Sequence, residues 1–471
     1  MHNLPEVLNF SSGSLPINFA EKTMKKRKIL VSFFLLGIVP TLFAQKVKTL
    51  KECIALGIEN NLSLNNARIE ISRGKTGLSQ SRALLLPTLT AAFQFTDYLK
   101  KPVNVTTGTL LGTDFPEDPT WQTIQSTQYN VATGIQLAMP LYNQTILAGI
   151  DVAKTVDNLK QLSYEKARED LTVQISKLYY LAQNSLEQQF LLKENIARMN
   201  ELCSITEALY QQGVVMEIDL TRVQINLKNL SAQEDLLQTL HEQQLNLLRF
   251  LMDLNVESPL AVTRMKARIE PEQATGLSLH LPELQVAEKQ LELIRKQIKS
   301  IKAGYLPTLS LTGQLGALGY QEEFRHFFHG KESSQNWFGN SYFGIAIRLP
   351  LFEGNSRRLK IKQHRYAQLQ AENKKAELLK QLEQSYANAT LQLNHNVEVL
   401  QTQTENYRQA KEVYQVTEEK YKEGVASMTE LLQDEMRLRT AQSACVQAQS
   451  QCLLAQLELL KLSGHLNDLS K

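Results

Sequence analysis

Two copies of one short pattern lie about 210 to 220 residues apart in this 471-residue chain, and each copy carries two proline-bounded runs of alternating apolar and small or polar residues. RALLLPTLTAAFQF (Arg82 to Phe95) is echoed by KAGYLPTLSLTGQL (Lys302 to Leu315), so that Pro87 matches Pro307. IQLAMPLYN (Ile135 to Asn143) is echoed by IAIRLPLFEG (Ile345 to Gly354), matching Pro140 to Pro350. LYQQGVVMEIDL (Leu209 to Leu220) is echoed by KYKEGVASMTEL (Lys420 to Leu431), matching Gly213 to Gly424. Three landmarks in the same order mark a tandem duplication, which is the first thing a repeat search asks of a long chain. The predicted units are residues 45–265 and 266–471.

Side chains alternate across a strand, so each run has two faces. In the first, Leu89, Ala91, Phe93 and Phe95 oppose Thr90, Ala92, Gln94 and Thr96; its partner sets Val131, Ile135, Leu137 and Met139 on one side. The second copy repeats this with Leu309, Leu311 and Leu315, then Phe343, Ile345, Ile347 and Leu349. Strands are predicted at 87–99, 129–139, 307–318 and 341–349. About ten residues is the length at which a tilted strand crosses a bilayer. The segments between the paired strands, near Lys100 to Gln128 and Tyr320 to Asn336, read as loops.

The rest is helical. From Leu141 to about Gln212 there is no proline and only Gly149, and Arg357 to about Glu423 is similar. At about 1.5 Å per residue, each run makes a helix near 100 Å long. Its apolar residues form narrow stripes among Gln, Glu, Lys and Asn, as in QLQAENKKAELLKQLEQSYANATLQL (Gln368 to Leu393). Such stripes suit helices that touch along seams while water wets the remaining surface. The turns joining these helices to their return partners are expected near residues 213 and 424.

Lys25-Lys26-Arg27-Lys28, followed by the apolar run Ile29 to Ala44, has the form of a secretory leader. The run is shorter than the roughly 20 residues a membrane-spanning helix needs. Cleavage is expected after Ala44, and residues 1–23 read as an upstream extension with Met24 as the start. Five of the 51 Lys and Arg residues and two of the 48 Asp and Glu residues precede Gln45, so the mature chain carries 46 of each. Neutrality gives no electrostatic case for nucleic-acid binding. Cys53, Cys203, Cys445 and Cys452 are too few and scattered for a disulfide framework and read as packing residues. Cys53 follows Lys51-Glu52, which does not fit a lipid-attachment signal.

Four strands cannot close a barrel, for which about eight is the minimum, and open strand edges are not tolerated in lipid. The chain must therefore share its strands with other copies. Here the duplicated L-P-T-L strand starts, the P-L-[FY] corners at Pro140 and Pro350, and the paired Y-x-x-G-V turns at Tyr210 and Tyr421 resemble the TolC-like outer-membrane factors of tripartite efflux pumps and type I secretion systems. The resemblance spans about Lys48 to Gly464. It implies a mainly α fold with a β-barrel part: a homotrimer in the cell outer membrane, whose twelve-stranded barrel continues into a long periplasmic tunnel of α-helical hairpins. It also implies a periplasmic adaptor and an inner-membrane transporter as partners, outer-membrane lipid as surroundings, and passive conduction of small molecules.

Carried over by position, Gly213, Val214, Gly424 and Val425 become hairpin-tip and adaptor-contact candidates, and Pro87, Pro140, Pro307 and Pro350 mark strand-to-helix corners. In the family, acids six and nine residues after the tip glycine line a gate. Asp219 and Glu430 hold the sixth position, whereas the ninth in copy two is Gln433 with Asp434 beside it. Asp219, Glu430 and Asp434 are thus the gate candidates; three carboxylates ringed around a pore favour cations and repel one another. The competing reading of Asp219 and Glu430 is that they only favour their helix N-termini. Ser427 to Glu430 also fits a capping box.

Other constellations are weaker. His326 and His329 have ligand-like spacing but no third partner in sequence, so no metal site is assigned. The nine methionines read as core filling. Arg357-Arg358 reads either as solvated or as facing lipid phosphate, and Trp121 and Trp337 as interfacial girdle or loop packing. No phosphate loop, nucleophile elbow or zinc cluster is present, so the reading includes no cofactor and no enzyme. The alternatives are the exit duct of a type I protein secretion system and, from a different class, a non-pore periplasmic coiled-coil adaptor.

Overall fold

The computed structural model describes residues 47–107, 121–265, 276–327 and 337–470. The leader and its extension fall outside the described residues, as do His329 and part of each predicted loop. The first half runs β1 (Val47–Lys48), α1 (Leu50–Asn60), α2 (Leu62–Ala83), β2 (Thr88–Asp97), β3 (Val103–Thr107), β4 (Trp121–Gln125), β5 (Tyr129–Tyr142), α3 (Gln144–Gln211), α4 (Glu217–Leu251) and β6 (Ala261–Val262). The second runs α5 (Pro282–Ala303), β7 (Thr308–Gln321), β8 (Trp337–Arg348), α6 (Ser356–Lys422) and α7 (Met428–Ser463).

The four alternating segments form one antiparallel sheet in the order β2-β5-β7-β8. Thr88 faces Ala138, Ile135 faces Leu315, and Leu311 faces Ile345. β5 and β7 come from different copies and approach closely at glycine: a Cβ on Gly316 would collide with the Thr133 carbonyl oxygen. Among the described residues the outer strands of the sheet stand open to solvent, whereas Val131 of β5 and Gln321 of β7 are buried at its loop end. Phe93 is 71% and Phe343 79% exposed, and Leu89, Leu315, Ile345 and Ile347 are exposed with them. β2 and β8 each also present one unpaired edge.

The expected loop after β2 contains a short ribbon, in which β3 pairs antiparallel with β4. V-N-V-T-T and W-Q-T-I-Q carry β-branched residues enough to extend the hairpin beyond the main sheet.

At 68 and 67 residues, α3 and α6 are each roughly 100 Å long. Each is too long for one partner: α3 packs on α1, α2, α4, α5 and α7, and α6 on α5 and α7. The densest core lies where the shorter helices end. There Ile54, Leu64, Leu245, Leu248 and Met252 close around Ile175 and Tyr179 in the middle of α3. The Tyr179 hydroxyl donates to the Lys48 carbonyl (3.0 Å) and accepts from the Thr263 amide (3.2 Å), tying the parallel β1–β6 clip to the helix. Leu281, Leu382, Leu393, Cys452 and Leu459 make the matching core in the second copy. All four cysteines are free thiols. Among the described residues no helix is long and apolar enough to cross a membrane.

Where the two long hairpins touch, a polar group is set among apolar contacts such as Val173 with Leu457 and Met199 with Met428. Asn195 on α3 donates to Gln442 on α7 (3.1 Å), Arg198 donates to Asn195 and lies over the Tyr414 ring of α6 (5.9 Å), and Glu435 is buried beside them. Burial pushes the Glu435 carboxyl above the usual carboxylate range, with Arg439 and Arg198 opposing. Because the folded value lies above the unfolded one, its ionisation weakens the fold as pH rises through that interval and leaves it unaffected below the unfolded value. Glu435→Gln is therefore expected to raise the thermal midpoint of the detergent-solubilised protein at pH 7.5, with the gap to wild type closing towards pH 4. Melting curves at the two pH values check this.

Candidate functional site

The hairpin tips are built twice with the same bonds. α3 ends at Gln211, Gly213 takes a left-handed backbone (φ 74°), its amide bonds to the Tyr210 carbonyl (2.9 Å), and the Val214 amide bonds to the Leu209 carbonyl (2.9 Å). In copy two Gly424 has φ 75°, its amide bonds to Tyr421 (3.0 Å), and the Val425 amide bonds to Lys420 (2.8 Å). This is the Schellman ending, in which a residue without Cβ reverses the chain while the last carbonyls keep partners. The return helices start differently. Ser427 accepts from the Glu430 amide (3.2 Å), forming its half of a capping box, whereas Met216 in copy one offers no side-chain cap. Val214, Met216 and Ile218 of the first tip and Val425 of the second (73% exposed) present apolar side chains to solvent.

Between the tips runs a polar bridge. Arg222 on α4 pairs with Asp219 one turn before it (3.1 Å) and donates to the Thr429 hydroxyl at the start of α7 (3.3 Å). Tyr421, at the end of α6, has a mostly buried hydroxyl whose pKa is raised by burial and further by the nearby Asp219 charge, against the Thr206 hydroxyl. Three residues of this group, Arg222, Thr429 and Tyr421, were not among the sequence candidates. The i, i+3 spacing of Asp219 and Arg222 was the available signal, and Arg222 occupies the ninth position after Gly213, where the resemblance calls for an acid.

The three candidate acids have different surroundings. Glu430 is exposed at the first turn of α7, and Asp219 is held by Arg222. Asp434 is only 5% exposed, lies in the α6–α7 seam, accepts from Thr417 (2.8 Å) and pairs with Arg437 (2.9 Å). Its carboxylate is committed within its own hairpin, so it does not share the placement of the other two.

At the opposite ends of the strands, Pro87 and Pro307 stand one residue before β2 and β7. Pro140 lies inside β5, opposite Ser310, with a register shift between Pro140 and Tyr142. The helix start in copy one falls three residues later, at Asn143, whose side chain accepts from the Thr145 and Ile146 amides. Pro350 sits in the real corner of copy two, after β8 and before left-handed Gly354 and Asn355. At the loop ends of the strands Phe95, Tyr129, Phe324, Phe327 and Trp337 make a chain of ring contacts 5.5–6.4 Å apart. The Trp121 ring lies outside the described residues. His326 lies beside Glu323 (3.9 Å), and among the described residues no group of three metal-ligating side chains occurs.

The family model described as "Outer membrane efflux protein" matches residues 54–253 and 277–465, one segment per copy. A curated relative from Pseudomonas putida, "Probable efflux pump outer membrane protein TtgC", is 24% identical over 315 residues, which covers 64% of this chain and 63% of that protein. "Outer membrane protein TolC" of Vibrio cholerae is 21% identical over 352 residues, covering 72% of this chain and 77% of the relative. Among solved structures, the outer membrane protein VceC of Vibrio cholerae superposes with a TM-score of 0.70 at 17% identity, over 88% of this chain and 96% of that one. The CmeC outer membrane channel of Campylobacter jejuni does so with 0.70 at 18% identity, over 88% and 85%.

A β-branched residue at a left-handed tip position costs about 1–2 kcal/mol or more. Gly424→Val is therefore expected to speed amide exchange across residues 420–428 by roughly tenfold, leaving exchange at the Tyr179 core unchanged. Hydrogen-exchange mass spectrometry reads both regions at once.

Proposed function

The chain belongs to the outer membrane efflux protein family, and from that premise we propose that three copies form the exit duct of a tripartite export assembly, passing small molecules through a shared barrel and a helical periplasmic tunnel. The observation that carries this is the four-stranded sheet, whose outer strands β2 and β8 are exposed on both faces and open along their outer edges. Three such sheets give twelve strands, enough to close. The duplication supplies the closing register. β5 and β7 already join the two copies, with Ile135 opposite Leu315 and Gln136 opposite Gln314. Shifting each partner by its repeat offset sets Ile345 of β8 opposite Phe95 of the next copy's β2, and Ala346 opposite Gln94.

Conduction needs no catalytic step. Energy and substrate selection come from an inner-membrane transporter, and the exposed apolar tips, Val214, Met216 and Val425, suit contact with a periplasmic adaptor. The relatives carrying "efflux pump" in their names favour small molecules over a secreted polypeptide. Family membership sets the non-pore adaptor reading aside.

In this reading the tip is the gate. Arg222 bonds the first hairpin to the second through Thr429, and Asp219 holds Arg222 in place. Glu430, exposed at the same level, gives a ring of three negative charges in the trimer. Arg222→Ala is expected to raise single-channel conductance in planar bilayers several-fold by freeing the tips, and Glu430→Gln to reduce cation over anion preference with little change in conductance. Wild-type conductance in the first variant and wild-type selectivity in the second would remove the gate assignment.

A further inference from the structure

The two copies differ most in charge where strand gives way to long helix. The first ten residues of α3, QTILAGIDVA, hold one acid and no cation, whereas those of α6, SRRLKIKQHR, hold five Lys and Arg residues. The start of a helix carries the positive end of its dipole, so cations are unfavourable there. One of the five is compensated inside the chain. Arg357 donates to the Gly304 carbonyl, pairs with Glu353 (2.7 Å) and lies over the Tyr305 ring (4.9 Å).

The others make no ion pair among the described residues, and Lys362 has only the face of the Tyr366 ring (5.8 Å) beside it. Lys302 at the end of α5 joins Arg358, Lys362 and Arg365 of α6 around an open recess of about 850 Å³, with Tyr305 and Leu359 in its wall. None of the four cations makes an ion pair among the described residues. Four unpaired positive charges around one recess at a helix start are a standing electrostatic cost that a bound anion relieves.

The rim says which anion. Leu306 follows Tyr305 of the recess wall directly in the chain, and Leu349, Leu351 (89% exposed) and Phe352 lie between the end of β8 and Asn355 of that wall; all four are exposed apolar side chains. Apolar residues followed within two turns by Lys and Arg match the change from acyl chain to headgroup, where long cationic side chains reach phosphate. We propose that this recess binds the phosphate of an anionic phospholipid in the periplasmic leaflet, with Lys302, Arg358, Lys362 and Arg365 holding the headgroup and Leu351 and Phe352 the acyl chains. The site rests on the membrane placement of the sheet described above. It is particular to the second copy, so a trimer carries three equivalent sites.

Native mass spectrometry of the full-length protein, released from mixed micelles, tests this with phosphatidylglycerol, phosphatidylethanolamine and sn-glycerol 3-phosphate offered separately. Phosphatidylglycerol should be retained in up to three copies per trimer and at least about tenfold better than phosphatidylethanolamine. Each single change to Gln at Lys302, Arg358, Lys362 or Arg365 should lower that retention roughly fivefold. Arg358→Lys should keep most of it, which separates lost charge from lost folding, as does an unaltered trimer mass. Equal retention of the two lipids, or of phosphatidylglycerol by wild type and the four-fold Gln variant, would overturn the proposal. Retention of glycerol phosphate as strong as that of phosphatidylglycerol would overturn the lipid source. Failure of the membrane reading looks different, since a water-soluble chain would retain neither lipid.

Discussion

A backbone N–H or C=O left without a partner in hydrocarbon costs several kcal/mol, and this one cost organises the chain. β2 and β8 carry such rows of groups along their outer edges. Among the described residues no second sheet packs on the one they bound, and large apolar residues such as Phe93, Phe343 and Ile347 are exposed on it. In water this surface would aggregate. In the proposed assembly the apolar face is satisfied by lipid, and the β8 edge of one chain by the β2 edge of the next. Barrel closure by several chains then follows from geometry.

Duplication makes that closure economical. The contact between β5 and β7 is internal, yet it joins one copy's second strand to the other's first, which is the contact that the proposed assembly would repeat around a ring. The helices follow the same logic. α3 and α6 each lean on one short helix and then another, and the deep cores around Tyr179 and Leu393 fall where the short helices change over. Towards the tips the seams mix buried apolar residues such as Met199, Val223 and Leu431 with polar pairs, Asn195 to Gln442 and Thr417 to Asp434. Satisfied polar pairs of this kind fix the register of neighbouring helices.

Much of this was legible because it depends on local periodicity. Alternation at Leu89–Phe95 and Phe343–Leu349 can only be satisfied by strands with one apolar face, and Gly213 and Gly424 stand at the end of proline-free runs, where a left-handed residue turns the chain. The illegible parts depend on neighbours distant in sequence. Asp434 looked like Glu430 in the sequence, but Thr417 across the hairpin and Arg437 enclose it. The Arg222–Thr429 bridge joins residues 207 apart, and no periodicity signals such a pair. Pro140 looked like a corner because proline usually ends a strand, yet a bulge lets β5 carry it. The uncompensated charge at the start of α6 was visible as Arg357-Arg358, but only the fold shows that Arg357 is bonded inward and Arg358 is not.

The central claim is that β8 of one copy pairs with β2 of the next in the register the duplication dictates. Directly opposed side chains sit about 5 Å apart between Cβ atoms, close enough for a disulfide. Oxidation of the Gln94→Cys/Ala346→Cys double variant in isolated outer membranes, followed by denaturing electrophoresis without reductant, should give a covalent species of three chains that neither single variant forms. Migration only as a single chain, with both new thiols still free to alkylation, would contradict the account.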